Sequence, residues 1–389
     1  MPANSSIPDS SDMSTYKLKE PYRRIVVKAG TSLLTSGTGS LNLDIMSNIV
    51  GQIASLHCKG AETLLVSSGA VAAGRNVLSL AQDGKNISFR QVLAAVGQGR
   101  LMHVYQQLFS AYDIGVGQAL LSRKDLTDRL GYLNVRNTLL ALLDHKIVPI
   151  INENDVVSID ELINEGFGDN DTLSALVANL VDADLLIMLG EMDGLFTSDP
   201  NVDPNAKLVQ VVDEVNQDVE SMGGPSRDGK GRGGMTTKIE AARMAAVAGV
   251  DVVIANGQEV DVVMRLIDGE SIGTFFPATR TKMESRKRWM LSGLSTKGEI
   301  LVDDGAVRAI CTRHRSLLPA GVIDIRGSFD RGEIVSILDT KGKQIAGGIT
   351  NYGSDDLASI KGLHSDNIEM TLQHSYGDEA VHRSNMVIL

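Results

Sequence analysis

From Arg24 onward, short apolar runs alternate with longer stretches whose apolar positions recur every three or four residues. Residues 24–28, 63–66, 147–151, 184–189 and 251–255 read as strands, and 116–121 as a further one. Between them, 43–59 (stopped by Gly60), 88–111, 133–144 and 235–248 read as helices. Leu173, Leu176, Val177, Leu180 and Val181 keep helical spacing and predict another helix there, with Asn170 or Asp171 able to serve as its N-cap. Strands that are apolar throughout are buried on both faces, the pattern of a parallel sheet between two layers of helices. In such sheets ligands bind beyond the carboxyl ends of the strands. Polar motifs follow Val27, Val66, Ile151 and Leu189, all at that edge.

The alternation ends near Pro277. From about Lys297 the texture changes to short β-type runs broken by glycine, at 299–302, 322–325, 333–338 and 344–346. The expected fold class is α/β, a parallel-rich sheet sandwiched by helices, followed by a small, mostly β, barrel-like domain. The expected boundaries are a disordered tail at 1–21, a first domain at 22–277, a linker at 278–294 and the small domain at 295–389.

Two domains suit a chain of 389 residues, 43% hydrophobic and 22% charged. The net charge of −11 repels nucleic acid and anionic membranes, so any anionic ligand must be held by local dipoles and a few placed cations. Two distant cysteines, Cys58 and Cys311, support neither a disulfide framework nor a zinc site, and a reducing cytoplasm fits them. The seven histidines show no metal-ligand spacing, so no metal site built from histidines is expected, and no residue is assigned as a metal ligand. The first twenty residues hold no apolar segment of the secretory kind, and no apolar run reaches the length of a membrane span.

Three stretches carry chemistry. Lys28-Ala29-Gly30-Thr31-Ser32 ends the first strand with a lysine, whose burial is costly unless it meets an anion. Gly168-Asp169-Asn170-Asp171-Thr172 puts two carboxylates and an amide before a helix, more polar capacity than a cap uses. Gly231-Arg232-Gly233-Gly234-Met235-Thr236-Thr237-Lys238 leads glycines into a helix N-terminus, where the free N–H groups attract an anion. Lys238 there opposes the helix dipole, which a shared anion explains better than helix stability does. The run 224–230 matches GxxxxGK, but Gly231 replaces the required Ser or Thr, and it is no P-loop. Gly97-Gln98-Gly99 and Gly115-Val116-Gly117 are too short to support a dinucleotide site. Two lysines, two glycine-rich loops and an acidic cluster suit phosphoryl transfer.

Together with Ser67-Ser68-Gly69-Ala70, Leu93-Ala94-Ala95-Val96-Gly97-Gln98, Asn152-Glu153-Asn154-Asp155 and Val381-His382-Arg383, these stretches resemble the glutamate 5-kinases of the amino acid kinase superfamily. Ser316-Leu317-Leu318-Pro319-Ala320-Gly321 and Arg331-Gly332-Glu333 resemble the PUA domain attached to many of them. The resemblance covers nearly everything from Tyr22 onward. It implies ATP-dependent phosphorylation of the γ-carboxylate of L-glutamate, with ATP and Mg²⁺, as the first step towards proline. It implies Lys28 and Lys238 as catalytic lysines, organised by Asp171. Glutamate would be bound by Ser68, Asp155 and Asn170, with Asp169 and Asn152 nearby. ATP would be held by Lys28, Gly30, Gly190, Glu191, Arg232, Gly233, Gly234, Met235, Thr236, Thr237 and Lys238, with Gly69 a further backbone donor.

The sequence departs from the family pattern at Gly190-Glu191, where Thr-Asp is common, at Arg232, where a small hydroxyl residue is usual, and in a slightly longer 156–167. The resemblance also implies proline as an inhibitor and a homodimer or homotetramer. The competing expectations are a superfamily kinase acting on N-acetylglutamate or aspartate, and RNA binding through the PUA-like domain. Against the latter, 297–389 carries ten Lys and Arg to thirteen Asp and Glu, a net −3, without the basic footprint of RNA binders.

Overall fold

The computed structural model describes Tyr16, Leu18 and residues 21–78, 87–157, 170–224, 234–279 and 296–389. The chain divides into two compact units, one of residues 1–123 and 136–280, the other of 124–135 and 281–389.

The first unit is built on a seven-stranded sheet in the order β3-β4-β2-β1-β5-β6-β7. Its strands are β1 (Arg24–Ala29), β2 (Glu62–Ser67), β3 (Val116–Leu121), β4 (Val148–Glu153), β5 (Leu185–Gly190), β6 (Asp251–Asn256) and β7 (Thr274–Phe276). All pair parallel except β7, which runs antiparallel on β6. The central strands β1, β2 and β5 are buried along almost their whole length, because their residues are apolar on both faces. Helices Leu43–Cys58, Ile87–Ser110 and Arg129–Asp144 match the expected ones to within a few residues. The chain builds β2, β3 and β4 on one side of β1, then returns to build β5 and β6 on the other. This puts the reversal of strand order between β1 and β5, where open α/β sheets hold their ligands.

The two ends of the sheet are chemically different. At the amino edge Glu62 is nearly buried and takes Arg24 at 2.6 Å and Arg23 at 2.8 Å, while Asp184 accepts from the backbone N–H groups of Arg23 and Arg24. Burial pushes the Glu62 carboxyl up, but the charges and hydrogen bonds of Arg24 and Arg23 outweigh it and hold Glu62 below the ordinary value. These pairs fasten the strand starts and leave the carboxyl edge for ligands.

Tyr16 and Leu18 correct the reading of the first residues as tail. Both are buried in the first unit's core, Tyr16 with its ring 4.9 Å from that of Phe275 and its hydroxyl donating to the Ile272 carbonyl. An aromatic and a leucine spaced two apart supply the apolar anchor that the Ser- and Asp-rich run before them lacks.

The second unit holds a five-stranded sheet in the order β12-β11-β10-β8-β9, from β8 (Gly298–Val302), β9 (Val322–Gly327), β10 (Ile334–Leu338), β11 (Gln344–Ile349) and β12 (Met386–Ile388). Only β10 and β8 pair parallel. Ile300, Val302, Val335, Ile337, Tyr352 and Leu357 form its core. Residues 124–135 belong to this unit, since Leu133, fully buried, packs with Ile334 and Ile349. Among the described residues no helix is long and apolar enough to cross a membrane.

Candidate active site

Lys28 is the penultimate residue of β1 and only 1% exposed. Its Nζ lies 2.5 Å from Oδ1 of Asp171, which is itself fully buried at the start of the helix Asn170–Leu180. The other oxygen, Oδ2, takes Nζ of Lys238 at 2.9 Å and Oγ1 of Thr237 at 2.9 Å. Lys238 and Thr237 stand in the first turn of the helix Met235–Val247, entered through Gly234 at φ +100, a conformation that favours glycine.

One carboxylate thus holds two ammonium groups from two different elements. The desolvation of three charges is offset in part by two ion pairs, and the two ammonium groups together carry more positive charge than the one carboxylate between them carries negative. The starts of the helices Asn170–Leu180 and Met235–Val247 add the positive ends of their dipoles. The arrangement attracts an anion with more charge than Asp171 supplies. Gly30 and Gly190 leave room beside the lysines, since a Cβ on Gly30 would come 3.3 Å from Lys28 Nζ and one on Gly190 would come 3.3 Å from Lys238 Cε.

Beside this charged cluster runs a chain of neutral polar side chains. Asn170 donates from Nδ2 to Ser68 Oγ at 2.6 Å and to Asn152 Oδ1 at 3.1 Å. Asn152 Oδ1 also accepts from the backbone N–H of Glu153 at 2.9 Å, and its Nδ2 donates to Gln98 Oε1 at 2.9 Å. A backbone N–H can only donate, so it fixes Asn152 Oδ1 as the acceptor and with it the direction of every amide in the chain. Asn170 Oδ1 is then left as a buried acceptor with no partner among the described residues. Below Ser68, the Ser67 hydroxyl lies 2.7 Å from Tyr105 OH, and burial pushes the Tyr105 phenol well above its ordinary value, keeping it neutral.

The remaining expected residues lie around this centre. Asp155 is in the turn after β4, partly exposed, and its carbonyl accepts from Gln91 Nε2 at 3.3 Å. Gly190 ends β5, and Glu191 beyond it is exposed. Met235 and Thr236 open their helix, with Thr236 Oγ1 donating to the Gly224 carbonyl at 3.1 Å. Asp169, Arg232 and Gly233 lie outside the described residues. Asn170 and Asp171 are inside the helix rather than before it, so neither is the N-cap that the pattern allows. Gln98 and Tyr105 join the site without having been expected there. Gln98 ends the stretch Leu93 to Gln98 that carries part of the resemblance, and Tyr105 follows it seven residues later, two helical turns along the same face.

The description "Amino acid kinase family" matches residues 23–256, and "PUA domain" matches residues 298–372. These two matches define the class of the molecule. Glutamate 5-kinase of Dehalococcoides mccartyi is 50% identical over 368 residues, 95% of this chain and 99% of its own. That of Herpetosiphon aurantiacus is 48% identical over 369 residues, again 95% and 99%. That of Shewanella oneidensis is 48% identical over 368 residues, 95% of this chain and 98% of its own. The chain belongs to the amino acid kinase family and, within it, to the glutamate 5-kinases.

Proposed function

We propose that this chain transfers the terminal phosphoryl group of ATP to the γ-carboxylate of L-glutamate, giving L-glutamyl 5-phosphate, the first step of proline synthesis. The observation that carries this reading is the pair Lys28 and Lys238 on the two oxygens of buried Asp171. A γ-carboxylate is already ionised at neutral pH. Its oxygen attacks phosphorus, the bond from phosphorus to the bridging oxygen breaks, and ADP leaves, so no proton has to be removed. The protein's task is to position two anions and to neutralise the charge that spreads over the transferring group and leaving oxygen. Lys28 and Lys238 supply that charge, and Asp171 holds their ammonium groups in place before substrate arrives.

Asn170 Oδ1, the buried acceptor without a partner among the described residues, suits an ammonium group, as does the nearby turn carrying Asp155. A zwitterionic amino acid supplies that donor. ATP lies on the lysine side, over the Gly234 helix entry. Mg²⁺, which the family resemblance implies, would accompany the nucleotide and supply charge neutralisation at its phosphates. Inhibition by proline, a homodimeric or homotetrameric state and a cytoplasmic setting belong to the same proposal, on the strength of the family resemblance. The purified chain, given L-glutamate, ATP and hydroxylamine, is expected to form γ-glutamyl hydroxamate together with ADP. ATP-dependent hydroxamate from N-acetylglutamate or aspartate, and none from glutamate, would refute the substrate.

A further inference from the structure

The amide chain of the site has a second open end. Gln98 Oε1 is taken by Asn152 Nδ2, so its Nε2 is the free end, and that nitrogen is shut off from solvent with no hydrogen-bond partner among the described residues. The two open ends differ in kind, a donor at Gln98 and an acceptor at Asn170 Oδ1. A buried donor and a buried acceptor left without partners are each destabilising unless a ligand completes them.

The position of Gln98 is fixed by backbone contact. A Cβ on Gly97 would lie 1.8 Å from the Ala70 carbonyl oxygen, and one on Gly74 would lie 2.0 Å from that of Leu93. The helices Ile87–Ser110 and Ala70–Leu78 therefore touch at their glycines, which seats Gln98 beside the segment that begins at Ser68. Along the chain of hydrogen bonds, Gln98 is two links from Asn170, while Asp171 with its two lysines is the residue next to Asn170. The carboxylate that accepts the phosphoryl group goes to the lysines, so the other end of the substrate falls along the amides.

On the reading proposed above, we infer that Gln98 is a substrate-binding residue, its Nε2 donating to the α-carboxylate of the amino-acid substrate while Asn170 Oδ1 accepts from the α-ammonium. The reverse assignment fails, because an amide N–H has nothing to accept with and a carbonyl oxygen nothing to donate. The two orphan atoms thus read the two halves of an α-amino acid, separately from the carboxylate that reacts.

The test is steady-state kinetics of Gln98→Leu and Gln98→Glu in the full chain, with two competitive inhibitors. Glutarate lacks the ammonium, and 4-aminobutyrate lacks the α-carboxylate. Gln98→Leu is expected to raise KM for L-glutamate roughly 10- to 100-fold and to leave KM for ATP within about twofold. Gln98→Glu, of the same shape but with an acceptor where the donor was, is expected to lose more. Inhibition by glutarate weakens in step with glutamate, and inhibition by 4-aminobutyrate is unchanged. An unchanged KM for glutamate, an equal weakening of both inhibitors, or a matching rise in KM for ATP would overturn the assignment. These outcomes presuppose a wild-type chain that turns over glutamate, and its failure to do so would sink the proposed function instead.

Discussion

Asn170 and Asp171 are consecutive residues, yet their side chains serve different networks. Asn170 bonds Ser68 and Asn152, while Asp171 bonds Lys28, Lys238 and Thr237. Successive positions on a helix are about 100° apart, so one turn points an amide into the neutral network and a carboxylate at the two lysines. On the function proposed above, the helix start would set the spacing between the amino acid and the transferring phosphoryl group.

Asp171→Asn tests the charged half. It keeps the shape and leaves two ammonium groups with a neutral amide between them. The expected result is a fall in kcat of roughly two to three orders of magnitude, with a lower Tm, since a buried pair that loses one partner costs about 3–5 kcal/mol. Activity within a few fold of wild type would show that the lysines need no carboxylate to hold them.

Asp155→Ala tests the grip on the amino acid. KM for glutamate should rise at least about tenfold while KM for ATP stays nearly constant, because a lost partner for the ammonium touches one substrate only. Equal changes in both would make Asp155 a turn residue that merely presents its carbonyl to Gln91.

The amino edge of the sheet gives a pH-dependent prediction. Glu62 titrates lower in the folded chain than in the unfolded one, so its contribution to stability is fully present above the ordinary glutamate value. That contribution is lost as pH falls through the depressed folded value. Thermal unfolding should show Glu62→Gln melting roughly 2–8 °C below wild type at pH 7, the gap closing as the pH is lowered towards about 3. A gap that is constant across this range would mean that the arginines do not stabilise the ionised form.

Leu133 allows a test of the second unit. It is fully buried with Ile334 and Ile349 although it precedes them by some two hundred residues. Leu133→Ala is expected to destabilise this unit by about 2–5 kcal/mol, read as an earlier unfolding transition. A chain ending after Arg280 keeps every proposed site residue but loses the partners of Leu133, and it should aggregate more readily than the full chain. Unchanged melting of Leu133→Ala would remove residues 124–135 from the second unit's core.

Much of this was legible in the sequence, for physical reasons that differ by residue. Lys28 stood out because a cation at the end of an apolar strand needs an anion. Lys238 stood out because it opposes a helix dipole. The residue pattern asked for an anionic ligand in both cases and the resemblance named Asp171 as the carboxylate organising the two lysines, and the structure places Asp171 between them. The parallel sheet followed from strands without a polar face, while β7, three residues long, gave no periodicity to read. Gln98 closes a stretch that carries the family resemblance, but no site role was assigned to it, because one glutamine in a helix has no pattern of its own. Only the contact of Gly97 with Ala70 brings it to β4 and Asn152. The placement of residues 124–135 depends on apolar partners far along the chain, which no local window contains.

The most direct test of the two-lysine site is the turnover of Lys238→Ala, measured as ADP release and hydroxamate formation at saturating glutamate and ATP, with folding checked by circular dichroism. Lys238 is the more exposed of the two lysines, at 13%, and Asp171 keeps Lys28 as its partner, so the variant should fold. The account predicts a kcat lowered about 100- to 1,000-fold with both products falling together. A folded variant that turns over at a near-normal rate would contradict it.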